Sequence, residues 1–127
     1  MELTAKTCTP CRGGIPPLTP AEAERYLAEV PGWQLLEGAT KIERTFKFDN
    51  FVSAMSFAQK VGELAELEGH HPEITLGWGY CKVMFQTRKI KGLHENDFII
   101  AAKVNTLVSV DPILEEPASS DAATFGI

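Results

Sequence analysis

The stretch Glu66-Leu67-Glu68-Gly69-His70-His71-Pro72-Glu73 ends one hydrophobic periodicity and precedes another, so it marks where a helix gives way to a sheet. Upstream, Phe51, Met55, Ala58, Val61, Gly62 and Ala65 recur at helical spacing, and Asp49 or Asn50 is placed to cap a helix reaching to about residue 67. Pro72 cannot continue that helix and biases His71 towards an extended backbone, so His70 and His71 should project in different directions. Beyond the corner, residues 74–78 and 80–87 read as two strands joined near Gly77-Trp78-Gly79. Cys81, Val83 and Phe85 would face one way, and Lys82, Met84 and Gln86 the other.

Working outward, residues 33–36 and 41–48 form a second strand pair around Glu37-Gly38-Ala39-Thr40. Ile42, Arg44, Phe46 and Phe48 alternate with Lys41, Glu43, Thr45 and Lys47, the period-two pattern of a sheet with one covered face, and Arg44 is its charged exception. Before them, Thr19-Pro20-Ala21-Glu22 carries a capping threonine, a proline at the first helical position and a glutamate three residues after the cap. That helix runs to about Val30, where Pro31-Gly32 stops it. After the basic loop Arg88-Lys89-Ile90-Lys91-Gly92, Asn96-Asp97 enters a last helix to about Leu107. It has one stripe of Phe98, Ala101, Ala102 and Asn105 and another of Ile100, Val104 and Leu107, which suggests a subunit interface as well as a core face. The order helix-strand-strand-helix-strand-strand-helix argues for an α+β fold, a four-stranded antiparallel sheet with helices packed on one face. Two open sheet edges point to a homodimer or homotetramer.

A chain of 127 residues fits one domain with a real core. Residues 18–110 form that domain, residues 1–17 an irregular lead-in rich in glycine and proline, and residues 111–127 an acidic tail expected to be disordered. The net charge of −5 and the absence of a basic block argue against nucleic acid or an anionic membrane as partner. No apolar run approaches a membrane span, and Met1-Glu2-Leu3-Thr4 lacks the plan of a signal peptide, so the cytoplasm is the expected compartment. Cys8 and Cys11 make an isolated C-x-x-C and Cys81 stands apart, which is neither a disulfide framework nor a full set of zinc ligands.

The two adjacent imidazoles are the candidate chemistry. Histidine can both give and take a proton near neutral pH, so a pair at a helix end is a natural acid/base device. A plain alternative is a helix-terminal pair favoured by the helix dipole. Glu66, one turn before His70, is placed to accept a hydrogen bond from an imidazole.

The run Glu66-x-x-x-His70-His71-Pro72, five residues to Trp78, nine more to position 88 and eight more to Asp97, resembles the signature of the pterin-4a-carbinolamine dehydratases. The resemblance covers residues 18–107 and includes Gly92-Leu93. It implies an enzyme that removes water from 4a-hydroxytetrahydropterin, giving quinonoid dihydropterin for reduction and reuse by aromatic amino acid hydroxylases. The family also moonlights as a dimerisation cofactor of a homeodomain transcription factor, and some relatives that lost the catalytic pattern serve as Rubisco assembly factors. Such a dehydration needs one acid and one base in fixed places, and neither a metal nor a redox cofactor. By the resemblance His70, His71 and Glu66 are the catalytic set. Trp78, Pro72 and Arg88 border the pterin, while Asp97 stabilises the start of the last helix. Trp78 and Glu66 equally fit ordinary roles in a core and on a solvated helix face. Position 88 departs from the pattern, since active relatives usually carry a third histidine there. An arginine stays protonated, so it can bind a carbonyl or stabilise a departing hydroxide but cannot act as a base. His94 is a conceivable substitute proton carrier, with a helix cap as its simpler role.

Overall fold

The computed structural model describes residues 2–9 and 13–109. Its elements are a 3-10 turn at Leu3–Ala5, α1 at Pro20–Leu27, β1 at Gln34–Leu36, β2 at Lys41–Lys47, α2 at Phe51–Glu68, β3 at Glu73–Gly77, β4 at Tyr80–Phe85, a 3-10 turn at Arg88–Ile90 and α3 at Glu95–Ser109. The strands form one antiparallel sheet in the order β1-β2-β4-β3, so the fold is α+β with a four-stranded antiparallel sheet as expected. Register aligns the inward residues: Ile42 faces Phe85, Arg44 faces Val83, and Phe46 and Leu76 both pair with Cys81. Ile42, Phe46, Cys81, Val83 and Phe85 are buried against residues of all three helices, whereas Thr45 and Thr75 on the other face are exposed.

Local chemistry fixes the helix ends. Thr19 and Glu22 form a reciprocal capping box at α1. Asn50, rather than Asp49, caps α2 by accepting the Ser53 N–H at 2.8 Å. Gly69 ends α2 in a left-handed conformation at φ 70°, which turns the chain out of the helix just before His70.

Two helix faces differ from the expectation. In α2 the buried stripe is Ala54, Phe57, Val61 and Ala65, while Phe51 and Met55 are 42% and 51% exposed. The helix is apolar on more than one side, so periodicity alone did not select the covered stripe. In α3, Phe98, Ile99, Ile100, Ala101, Ala102 and Val104 are all buried within this single chain. Both stripes already have partners in the domain, so α3 no longer argues for a subunit interface. The lead-in also takes part in the core through Leu3, which is 3% exposed. Cys11 and residues 111–127 lie outside the described residues.

Arg44, the charged member of an inward row, stacks 4.4 Å over the Phe46 ring and donates to Asn105 Oδ1 at 2.7 Å and to the Pro31 carbonyl at 3.2 Å. Trp33 Nε1 donates to the same Asn105 oxygen at 2.8 Å. Gly32 lies at φ 92°, and a Cβ there would meet Arg44 Nε at 2.6 Å, so this turn requires glycine twice over.

Candidate active site

The end of α2, the start of β3, the turn after β4 and the first turn of α3 converge at one corner. Gly69 and Pro72 send the two histidines apart, as the sequence implies. His70 turns inward, is 9% exposed and lies stacked beside Phe85 with ring centroids 6.1 Å apart. His71 stays outside with a side chain 58% exposed.

Each imidazole meets a carboxylate. His70 Nε2 is 2.6 Å from Asp97 Oδ1, and His71 Nε2 is 2.6 Å from Glu66 Oε2. Glu66 thus serves His71, because the left-handed turn at Gly69 carries His70 off the helix face. Asp97 is fully buried, and its Oδ2 also accepts the Thr87 hydroxyl at 2.7 Å and the His94 backbone N–H at 3.0 Å. Asp97 therefore both stabilises the start of α3 and holds a histidine of the candidate catalytic set. Its Oδ2 already has two donors, so Oδ1 accepts from His70, and the hydrogen on that ring sits at Nε2. In the neutral imidazole the lone pair is then at Nδ1. His94 acts as a helix cap, its Nδ1 accepting the Asn96 N–H at 3.0 Å.

Arg88 donates to Glu73 Oε2 at 2.8 Å in an exposed pair. Exposed pairs of this kind contribute about 0 to 1 kcal/mol, so the guanidinium can exchange partners readily. Pro72 and Glu73 link this pair to His71. Trp78 is placed differently. It sits 72% exposed in the β3–β4 turn, at the far end of a five-residue strand from His71, about 16 Å away at roughly 3.3 Å per residue. Within one chain the structure does not bring it to the histidine corner. Thr87 and Glu73 join the cluster without any periodic signal in the sequence; only their nearness to Arg88 and Pro72 could have suggested them.

Among the described residues no group of three histidine, cysteine or acidic side chains is arranged to hold a metal ion. Burial pushes the Cys8 thiol up to about 12, so it is protonated at neutral pH.

The family model for pterin 4 alpha carbinolamine dehydratase matches residues 16–107. A protein of Methylococcus capsulatus that carries the provisional name pterin-4-alpha-carbinolamine dehydratase is 66% identical over 107 residues, 84% of this chain and 94% of its own. One of Aromatoleum aromaticum with the same provisional name is 59% identical over 106 residues, covering 84% and 95%. Among solved structures, a transcriptional coactivator/pterin dehydratase from Brucella melitensis superposes with TM-score 0.67 at 33% identity, over 72% of this chain and 97% of that one. A pterin dehydratase-like protein identified as a RuBisCO assembly factor in the alpha-carboxysome gives TM-score 0.53 at 21% identity, over 62% and 92%, a likeness of fold.

Proposed function

Because the chain belongs to the pterin 4 alpha carbinolamine dehydratase family, we propose that it removes water from a 4a-hydroxytetrahydropterin to give the quinonoid dihydropterin, as a step of pterin recycling. The observation that carries this reading is the pair of carboxylate-held imidazoles, His70 on Asp97 and His71 on Glu66, at one corner. In the reaction the C4a–O bond breaks, the oxygen leaves as water after gaining a proton, N5 gives up its proton, and C4a=N5 forms. One group must donate and another accept. His70, with its hydrogen fixed on Nε2, offers Nδ1 as the acceptor. His71, exposed and held at Nε2 by Glu66, is the donor to the leaving hydroxyl in its imidazolium form, giving up the proton on Nδ1. Arg88 turns from Glu73 to the pterin and supplies charge rather than a proton. Pro72 fixes the approach of His71. No metal or redox cofactor takes part.

The working form is a homodimer or homotetramer in the cytoplasm. Open edges at β1 and β3 support assembly, as do the exposed Phe51, Val52 and Met55 on α2 and Trp78, whose turn meets this end of the molecule through the Phe48 N–H to Gly79 carbonyl bond of 2.8 Å. This placement favours Trp78 as an assembly residue over a pterin wall. Among the described residues no helix is long and apolar enough to cross a membrane.

A second reading, a protein-binding factor on the dehydratase fold, rests on Arg88 at the third histidine position. Dehydration of freshly generated 4a-hydroxytetrahydropterin separates the two. The enzyme reading expects activity that His71→Ala abolishes and Arg88→His raises. Rates equal to buffer for the intact protein and for Arg88→His would leave the binding reading.

A further inference from the structure

We propose that Asn96 is a positioning residue, which uses the backbone of Cys8 and Thr9 as a clamp to hold the end of α2 and the start of α3 in register for the His70–Asp97 pair. The inference rests on the dehydratase reading above for its effect on rate, though not for its geometry.

His70 and Asp97 sit on different elements, and the bond between them survives only if those elements keep their spacing and angle. Consecutive residues of the N-terminal segment tie the two. The Cys8 N–H donates to Glu68 Oε1 at 2.9 Å, two residues before His70. The Thr9 N–H donates to Asn96 Oδ1 at 3.0 Å, and Asn96 Nδ2 donates back to the Thr9 carbonyl at 2.7 Å, one residue before Asp97. Asn96 is 2% exposed, so both ends of its amide are committed in a buried setting. The Cys8 thiol reaches the Asn96 carbonyl at 3.6 Å, and its burial keeps it protonated for that contact. Glu68 Oε2 meets Lys103 at 2.6 Å, fastening the same carboxylate to α3. Leu3, buried in the core, and Lys6, paired with Glu95 at 2.5 Å, anchor the segment ahead of the clamp. The glycine- and proline-rich lead-in thereby has a role that its composition does not announce.

The test compares intact protein with Asn96→Ala, Thr9→Pro and Thr9→Ala. Thr9→Pro removes the N–H donor at an exposed residue and so decides the matter even if Asn96→Ala fails to fold. The first readout is the His70 imidazole signal in nitrogen-15 NMR, which needs no substrate. Asn96→Ala and Thr9→Pro are expected to shift or broaden it, and Thr9→Ala, which keeps both backbone groups, to leave it in place. The second readout is kinetic: kcat falls by about 10-fold or more in the first two variants while KM stays within about twofold, the pattern of a misplaced catalytic group. A folded Thr9→Pro protein with the His70 signal of the intact chain overturns the proposal. If the intact protein does not dehydrate the pterin, the reaction assigned above fails, and the NMR signal alone decides the clamp.

Discussion

Replacing Asp97 with asparagine keeps the shape of a fully buried side chain and removes its charge. The carboxylate accepts three hydrogen bonds, from His70 Nε2, the Thr87 hydroxyl and the His94 N–H. The amide has one oxygen for them. The His94 N–H can only donate, so the oxygen stays on its side, and the amide NH2 faces His70 Nε2 at what was a 2.6 Å contact. The imidazole must then accept at Nε2 and carry its hydrogen on Nδ1, the atom proposed to take the N5 proton. Hydrogen bonds to charged groups exceed neutral ones by about 1 kcal/mol, so the variant should lose about 3 kcal/mol of stability. In a domain of this size that lowers Tm by about 10 to 20 °C. The wrong tautomer should reduce kcat by about 10²-fold or more, measured where the variant is still folded. Urea unfolding gives the first number and dehydration kinetics the second. A variant with unchanged stability and unchanged kcat would refute the reasoning, because neither the charge nor the hydrogen position would then matter.

Gly32→Ala forces a Cβ onto Arg44 and a left-handed backbone onto alanine, so it should destabilise by about 1 to 3 kcal/mol in urea unfolding. Burial by itself would raise the Glu68 carboxyl, but the bonds from Lys103 and the Cys8 N–H outweigh it and hold the group below its ordinary 4.5. A depressed folded value means a contribution fully present above that pH and lost as pH falls through the folded value, so Glu68→Gln should flatten the acid limb of stability when urea midpoints at about pH 7 and about pH 4 are compared. With Cys11 replaced by serine, the native protein should react slowly with a thiol reagent at neutral pH, since burial pushes Cys8 up to about 12 and Cys81 up to about 11; unfolding should release both.

The element order was legible because the period changes cleanly at Gly69-His70-His71-Pro72 and again after Thr87. The divergence of the two histidines could be read from Pro72, and the left-handed turn at Gly69 adds to it. Arg44 stood out as the charged member of an apolar row, and the structure resolves it by pairing it with Asn105. Which stripe of α2 is covered was not legible, since two stripes are apolar and only the sheet chooses between them. The partner of His70 was not legible either, because the Asp97 contact spans 27 positions and depends on how α2 and α3 pack. The family resemblance grouped Trp78 with the histidines, and within this chain the length of β3 lies between them. Thr87 and Asn96 carry no periodic signal at all; their contacts arise only where separate segments meet in space.

The most direct measurement is the rate at which the intact protein dehydrates freshly generated 4a-hydroxytetrahydropterin, set against buffer and against the His70→Ala/His71→Ala double variant. Two positioned imidazoles predict an acceleration of about 10²-fold or more for the intact protein and the buffer rate for the double variant. Equal rates in all three would contradict the catalytic account, and an acceleration retained by the double variant would place the chemistry on other residues.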